Sequence, residues 1–233
     1  MEGETLDHVA LWVGDRERIA DFATSALGMH VVERTATFTL VGSDARRGKL
    51  TLFAAEPPRE RGALKHVALR VTNLERACSL LPPDLPLERS SGGEVVFEVG
   101  EGLRLGLVEA QTPVEYDLDH VALFSERPDE TAAQYASLGF AAAPAGVAGV
   151  PRVEVGGAFV EFHSGGGPEP GGPLLNHLAV RVRSAERSIA EAEERGLEIA
   201  NVVDAPNTSA LFIWGPERVK LEYVEHKASF SLK

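Results

Sequence analysis

The chain has 233 residues, of which 44% are hydrophobic and 25% are charged, a composition typical of a globular protein with a substantial core. Its 35 acidic and 23 basic residues give a net charge of −12, which disfavours binding to the phosphates of nucleic acids. The single cysteine, Cys78, excludes an intrachain disulfide, and the acidic N-terminus and short apolar runs predict neither an export signal nor a membrane span. We therefore expect a cytoplasmic protein that acts on a small molecule.

A short phrase recurs four times along the chain. It reads Leu-x-His-(Val/Leu)-Ala-(Leu/Val) and occupies residues 6–11, 64–69, 118–123 and 175–180. The histidines of successive copies are 58, 54 and 57 residues apart. Such even spacing indicates four repeats of one structural unit. The phrase is short and rich in β-forming residues, so each copy is predicted to be a strand.

A helical pattern follows each of these strands, over residues 15–27, 74–81, 129–138 and 184–195. Two or three strand-like runs then complete each repeat, which is therefore predicted to be a βαβββ module. We expect an α+β fold in which consecutive modules form two tandem open-barrel domains, residues 1–112 and residues 113–233. The polar stretch over residues 109–117 marks the predicted boundary between the two domains.

The alternation of side chains along a strand places the histidine and alanine of each phrase on one face and the larger apolar residues on the other. The apolar face should pack on the helices, so the histidines should face the concave interior. The last strand of each module offers a second aligned position on that interior. In chain order this position is occupied by Thr51, Gly106, Glu161 and Glu222.

The C-terminal pair of modules combines histidines with carboxylates. Its aligned residues are His120, His177, Glu161 and Glu222, a set that suits Fe(II), Mn(II), Ni(II), Co(II) or Zn(II). Inward-facing carboxylates would also need a cationic partner, because an unpaired buried charge is costly. The N-terminal pair has no acid at the aligned positions, and we expect it to be a degenerate copy without a complete metal site.

The four modules, the repeated phrase and the closing segment over residues 215–223 (Gly-Pro-Glu-Arg-Val-Lys-Leu-Glu-Tyr) resemble the vicinal oxygen chelate superfamily. This superfamily includes extradiol ring-cleavage dioxygenases, glyoxalase I and methylmalonyl-CoA epimerases. Similarity to the dioxygenases implies iron, as Fe(II), on His120, His177 and Glu222. Phe212 stands where those enzymes carry a tyrosine, whereas a second acid at Glu161 resembles glyoxalase I and the epimerases.

Three functions remain open on the sequence. The first is an extradiol-type dioxygenase that acts on a catechol-like vicinal diol. The second is a metal-dependent isomerase or lyase in which Glu161 or Glu222 transfers a proton. The third is a metal-free, resistance-type protein that binds a small molecule. Arg181, four residues after His177 on the same strand face, and Phe212 are the candidate substrate-binding residues, and a homo-oligomer is left open.

Overall fold

The computed structural model describes residues 1–44, 48–166 and 172–230, within which each repeat folds as a βαβββ module. The first module contains β1 (Thr5–Val13), α1 (Arg16–Ala26), β2 (His30–Arg34), β3 (Phe38–Gly42) and β4 (Lys49–Ala54). The second contains β5 (Leu64–Val71), α2 (Leu74–Ser79), β6 (Glu88–Arg89), β7 (Val95–Gly100) and β8 (Leu103–Glu109). The third contains β9 (Asp117–Ser125), α3 (Pro128–Ser137), β10 (Ala141–Ala142), β11 (Arg152–Val155) and β12 (Ala158–Ser164). The fourth contains β13 (Leu175–Arg181), α4 (Ala185–Glu194), β14 (Ile199–Asp204), β15 (Thr208–Trp214) and β16 (Lys220–His226).

The strands form two open sheets of eight strands each. One sheet has the order β14-β15-β16-β13-β1-β4-β3-β2, and the other has the order β10-β11-β12-β9-β5-β8-β7-β6. At the centre of each sheet two first strands pair antiparallel, β1 with β13 and β5 with β9. Each first strand also pairs in parallel with the last strand of its own module. The first and last strands of two modules are thereby brought side by side.

The structure confirms an α+β fold of four modules in two open sheets, but the modules pair differently from the predicted division between residues 112 and 113. The first module shares a sheet with the fourth, and the second shares a sheet with the third. The repeated phrase explains the difference. All four first strands carry the same pattern of apolar and small residues, so the pattern does not specify which two copies pair. This pairing decides which histidines meet.

Local signals in the sequence begin and end the helices. The side chains of Asp15, Asn73 and Ser184 cap α1, α2 and α4 by accepting a hydrogen bond from the backbone N–H three residues further on. The third helix begins instead with a proline in its first turn, where no backbone N–H is needed. Gly28 and Gly196 follow α1 and α4 with φ of 62° and 63°, as the predicted helix ends require.

One apolar core is shared by both sheets and by the helices that pack on them. Val9 and Leu11 of β1 enter this core, as do Val67 and Leu69 of β5. Aromatic residues of α1 and β7 join the two sheets, since Phe22 and Phe97 have ring centroids 5.9 Å apart. The histidines of the phrases therefore lie on the opposite face of each sheet, as the alternation of side chains predicts. Within the described residues, none of the helices combines the length and the apolar character needed to cross a membrane.

Two buried tyrosines at the contact between α3 and its surroundings allow a matched test of this core. Tyr223 of β16 donates a hydrogen bond to the carbonyl oxygen of Leu138, at 2.6 Å, and so links the two sheets. The hydroxyl of Tyr135 in α3 is also buried but has no hydrogen-bond partner in the described part of the chain.

Tyr223→Phe should lower the free energy of unfolding by about 1–3 kcal/mol, because a buried carbonyl loses its donor. Tyr135→Phe should cause no loss, because it removes an unsatisfied group. Urea unfolding of both variants is the measurement, and equal losses would contradict the prediction.

Candidate metal centres

A β-bulge precedes each histidine of the repeated phrases. In β1, Leu6 pairs with Val180 and His8 pairs with Ala179, so Asp7 is an extra residue between them. The register shifts in β5, β9 and β13 fall at the corresponding position. A bulge turns its extra residue toward the face of the next side chain. The residue before each histidine is therefore able to contact the imidazole ring from the same side of the sheet.

The first cluster consists of His8, His177 and Glu222, which come from β1, β13 and β16 of the same sheet. The Nε2 atoms of the two histidines are 3.2 Å apart. Glu222 Oε2 lies 2.9 Å from His177 Nε2 and 3.4 Å from His8 Nε2. Thr51 occupies the remaining aligned position of this sheet, on β4 opposite Ala10. Two imidazoles and one carboxylate thus converge on one point.

These separations fit a metal ion. A divalent ion that lies about 2.0–2.2 Å from each donor holds its ligands about 3.0–3.5 Å apart. Two of the three donor separations in the first cluster, 3.2 Å and 3.4 Å, fall in that range, and the third, 2.9 Å, lies just below it. Each residue offers one atom within 4.8 Å of the others. His8 and His177 also direct Nε2 toward the centre of the cluster, because their Nδ1 atoms are engaged elsewhere. His8 Nδ1 donates to Asp7 Oδ2 at 2.9 Å, and His177 Nδ1 donates to Asn176 Oδ1 at 3.1 Å.

Charged residues behind the first cluster hold Asp7 in place. Lys49 donates to Asp7 Oδ2 at 2.8 Å although its side chain is only 2% exposed, and His226 Nε2 lies 3.3 Å from Asp7 Oδ1. Burial alone would raise the pKa of Asp7, but hydrogen bonds with His226 and His8 and the charge of Lys49 hold it well below its usual range. Asp7 is therefore a carboxylate that orients His8 and strengthens it as a ligand.

The same contacts set the protonation of the cluster when no metal is bound. Burial opposes a charge on His8, yet hydrogen bonds with Asp7 and Glu222 raise its pKa to about 9. Burial likewise opposes a charge on Glu222, but hydrogen bonds with His177 and His8 lower its pKa to about 2. Burial dominates at His177 and lowers its pKa. Without a metal ion, the positive charge of the cluster is therefore carried by a protonated His8 between the carboxylates of Asp7 and Glu222.

The second cluster lies in the other sheet and consists of His66, His120 and Glu94. The Nε2 atoms of the two histidines are 3.1 Å apart. Glu94 Oε1 lies 2.8 Å from His66 Nε2 and 3.7 Å from His120 Nε2. Asp119 accepts a hydrogen bond from His120 Nδ1 at 2.8 Å. Glu161 approaches from β12, with Oε2 at 3.8 Å from His120 Nε2. His66, Glu94 and His120 also form a candidate metal-binding group.

The predicted site residues are divided between the two clusters. His120, Glu161, His177 and Glu222 were predicted to share one C-terminal site. The structure instead places His120 in the second cluster with Glu161 beside it, and His177 and Glu222 in the first cluster. The cause is the pairing of modules, which joins β13 to β1 and β9 to β5. The N-terminal modules therefore contribute a histidine to each cluster, contrary to their expected degenerate role.

Of the two candidate substrate-binding residues, the structure brings only Phe212 to a cluster. Its ring lies 5.2 Å from that of His177, edge to face, and it pairs with Glu222 across β15 and β16. Arg181 instead forms an ion pair with Glu4 at 3.1 Å at the far end of β13, away from His177. A spacing of four residues along a strand amounts to about 13 Å, so a shared face did not imply a shared site.

Glu94 was not among the site residues predicted from the sequence. It lies at the end of the turn between β6 and β7, outside the aligned positions of the modules. The one available signal was Gly106, which has no side chain at an aligned position and so indicates that a ligand for this sheet must come from elsewhere.

Comparison with known proteins agrees with this architecture. Residues 5–81 match the family model described as the Glyoxalase/Bleomycin resistance protein/Dioxygenase superfamily. Members of this superfamily typically bind a divalent metal ion, and most are enzymes. No curated protein matches the chain at the level of sequence.

Several solved structures are similar over almost the whole chain. A Bacillus subtilis protein provisionally assigned as a dioxygenase has 18% identity and a TM-score of 0.81, with 97% of this chain and 86% of that chain covered. Glyoxalase I from Zea mays has 16% identity and a TM-score of 0.75, with 95% and 92% covered. The cppA protein from Streptococcus pneumoniae has 14% identity and a TM-score of 0.64, with 96% and 98% covered. At these identities the similarity shows the fold alone.

The protonation of His8 predicts how metal binding at the first cluster depends on pH. With a pKa of about 9, His8 is protonated at neutral pH, and an ion must displace that proton from Nε2. The apparent association constant should therefore rise about tenfold per pH unit between about pH 6.5 and about pH 8.5. Competition with a chelating dye, in the His66→Ala variant so that only the first cluster binds, is the measurement. Asp7→Asn in that background should lower the pKa of His8 and flatten the slope, and a constant that does not change with pH would refute the prediction.

Proposed function

We propose that this chain, a member of the glyoxalase/bleomycin resistance protein/dioxygenase superfamily, is an Fe(II)-dependent dioxygenase that opens the ring of a catechol-like vicinal diol at the first cluster. The reaction is balanced by O₂ alone, since both oxygen atoms enter the product. Within this proposal the substrate is a small molecule and the protein acts in the cytoplasm, where thiols such as that of Cys78 stay reduced.

The observation that carries the proposal is the donor set of the first cluster. His8, His177 and Glu222 form a two-histidine, one-carboxylate group with separations of 2.9 to 3.4 Å between donor atoms. Donor sets of this composition are typical of non-haem Fe(II) oxygenases, where the ion supplies open positions for an oxygen-donating substrate and O₂. The neighbouring Thr51 is neutral and adds no further charge to the group.

Aromatic side chains beside the first cluster support an aromatic substrate. Phe212 and Phe53 have ring centroids 5.2 Å and 6.3 Å from that of His177. Trp12 continues this surface, with its ring 5.3 Å from that of Phe53. Such rings contribute about 0.5–1.5 kcal/mol per aromatic contact in addition to their buried area. Because phenylalanine has no hydroxyl group, Phe212 shapes the site and excludes water but transfers no proton.

A second candidate function is supported by Glu161, which lies beside the second cluster. Burial opposes a charge on Glu161, but the nearby Nε2 of His163, 3.4 Å from its Oε2, and the charges of His120 and Arg152 lower its pKa. It is therefore a carboxylate at neutral pH, 3.8 Å from His120 Nε2, and able to accept a proton from a substrate held at this cluster. A redox-neutral isomerase or lyase acting at the second cluster would use Glu161 in this way.

The dioxygenase is tested by oxygen consumption of anaerobically Fe(II)-loaded protein with a panel of catechols. Glu222→Ala should reduce the rate by more than about 100-fold, because it removes a ligand that neutralises the charge of the ion. Loss of a residue that only orients a ligand typically costs about 10–100-fold. Arg181→Ala is the matched control and should keep the full rate, because Arg181 forms an ion pair with Glu4 outside the cluster. If the iron-loaded protein consumes no O₂ with any catechol of the panel, the proposed dioxygenase activity is wrong.

The isomerase is tested by exchange of deuterium from D₂O into α-hydroxycarbonyl compounds without consumption of O₂. Glu161→Gln should slow this exchange by about 10²–10⁴-fold, because the amide preserves the size of the side chain but not its basicity. Glu222→Ala, which alters only the first cluster, should leave the exchange rate unchanged. Exchange that is equally fast in Glu161→Gln would exclude Glu161 as the base.

A further inference from the structure

All four modules contain one position that could supply a ligand from the last strand. The strand register shows this directly, because the residue at that position always pairs with the alanine of the repeated phrase. The pairs are Thr51 with Ala10, Gly106 with Ala68, Glu161 with Ala122, and Glu222 with Ala179. In the second module the position is a glycine, so β8 itself has no side chain to offer the second cluster.

The side chain of Glu94 occupies the space that a side chain at Gly106 would fill. A Cβ atom built on Gly106 would overlap Glu94 Oε1 and would lie 3.2 Å from its Cδ. The neighbouring strand directs Glu94 there. Val96 pairs with Gly106, and Glu94 is two residues earlier, on the same face. The turn before β7 fixes its backbone, since Ser90 accepts from Glu94 N through Oγ at 3.2 Å and donates from its own N to Glu94 O at 2.8 Å.

The three donor atoms of the second cluster are held close together, with the two Nε2 atoms of its histidines 3.1 Å apart. Glu94 Oε1 is buried and forms no hydrogen bond within the described residues, although His66 Nε2 is only 2.8 Å away. His120 Nδ1 donates to Asp119, so its Nε2 is left as an acceptor. Two ring nitrogens and a carboxylate oxygen therefore face a common point, and a bound cation would satisfy all three.

We propose that the second cluster is a second divalent-metal site of this chain, in which Glu94 replaces the carboxylate that the last strand lacks at Gly106. His66, His120 and Glu94 are its ligands, and the chain binds two metal ions at sites of different composition. Imidazole and carboxylate donors suit Zn(II), Co(II), Ni(II), Mn(II) or Fe(II). The inference does not depend on the reaction proposed for the first cluster, because its test measures metal binding.

A pair of substitutions can return the ligand to β8. Glu94→Ala removes the donor, and Gly106→Glu in the same chain supplies a carboxylate from the position that Glu222 and Glu161 occupy in their modules. The backbone accepts the larger residue, since both of those glutamates already stand opposite an alanine. At Gly106 the new Cβ would lie 3.3 Å from that of Ala68, which requires a shift of a few tenths of an ångström.

The experiment is equilibrium dialysis against Co(II), followed by elemental analysis of the protein. The wild-type chain should bind two equivalents, and Glu94→Ala and Glu222→Ala should each bind one. The double variant Glu94→Ala/Gly106→Glu should bind two again. Glu94→Ala combined with Glu222→Ala should bind none above background.

Circular dichroism and thermal unfolding show whether each variant is folded. If Glu94→Ala proves unfolded, Glu94→Gln replaces it, because the amide keeps the size of the side chain and removes its charge. Two equivalents retained after loss of the Glu94 carboxylate, or a single wild-type equivalent that Glu222→Ala removes and Glu94→Ala does not, would overturn the second site. If Gly106→Glu does not restore the lost equivalent of metal, Glu94 does not stand in for a carboxylate at position 106.

Discussion

The antiparallel pairing of two first strands from different modules is the constraint on which both clusters depend. His8 pairs with Ala179 and Ala10 pairs with His177, so the two histidines lie diagonally across one strand boundary. The same reciprocal register relates the histidines of β5 and β9. This arrangement brings each pair of Nε2 atoms to 3.2 Å or 3.1 Å. A single module contributes only one histidine, so neither cluster can exist before two modules have paired.

The β-bulges add the second requirement of a metal site, the orientation of its ligands. In a regular strand the residue before a histidine would point to the opposite face, but the bulge turns it toward the ring. Asp7, Asp119 and Asn176 use this position to accept from Nδ1 and leave Nε2 free. Lys65 is the exception, because an ammonium cannot accept a hydrogen bond, and it donates instead to His163 Nδ1 at 3.1 Å. The two clusters have therefore diverged in their outer residues while they retain the same strand pairing.

Much of this arrangement could be predicted from the sequence, and the remainder depends on contacts that no local pattern encodes. The phrase predicted the strands, the face of the histidines and the aligned position of Glu222. It could not show that the first module pairs with the fourth, because four near-identical strands offer the same pairing surface, and so Glu161 and Glu222 were wrongly placed in one site. Glu94 was missed because it reaches its cluster from a turn, through space left by Gly106.

One position on the strand next to the carboxylates gives each cluster its electrostatic character. Phe212 pairs with Glu222 in the first cluster, whereas Arg152 pairs with Glu161 in the second, with Nη1 at 3.6 Å from Oε1. The first carboxylate is therefore compensated by His8 and by any ion it binds, in apolar surroundings that strengthen electrostatic interactions. The second is already partly neutralised by a guanidinium, which under the second proposed function leaves it available for proton transfer. Under the two proposed functions, equivalent positions in two related modules would therefore act differently, Glu222 as a ligand and Glu161 as a base.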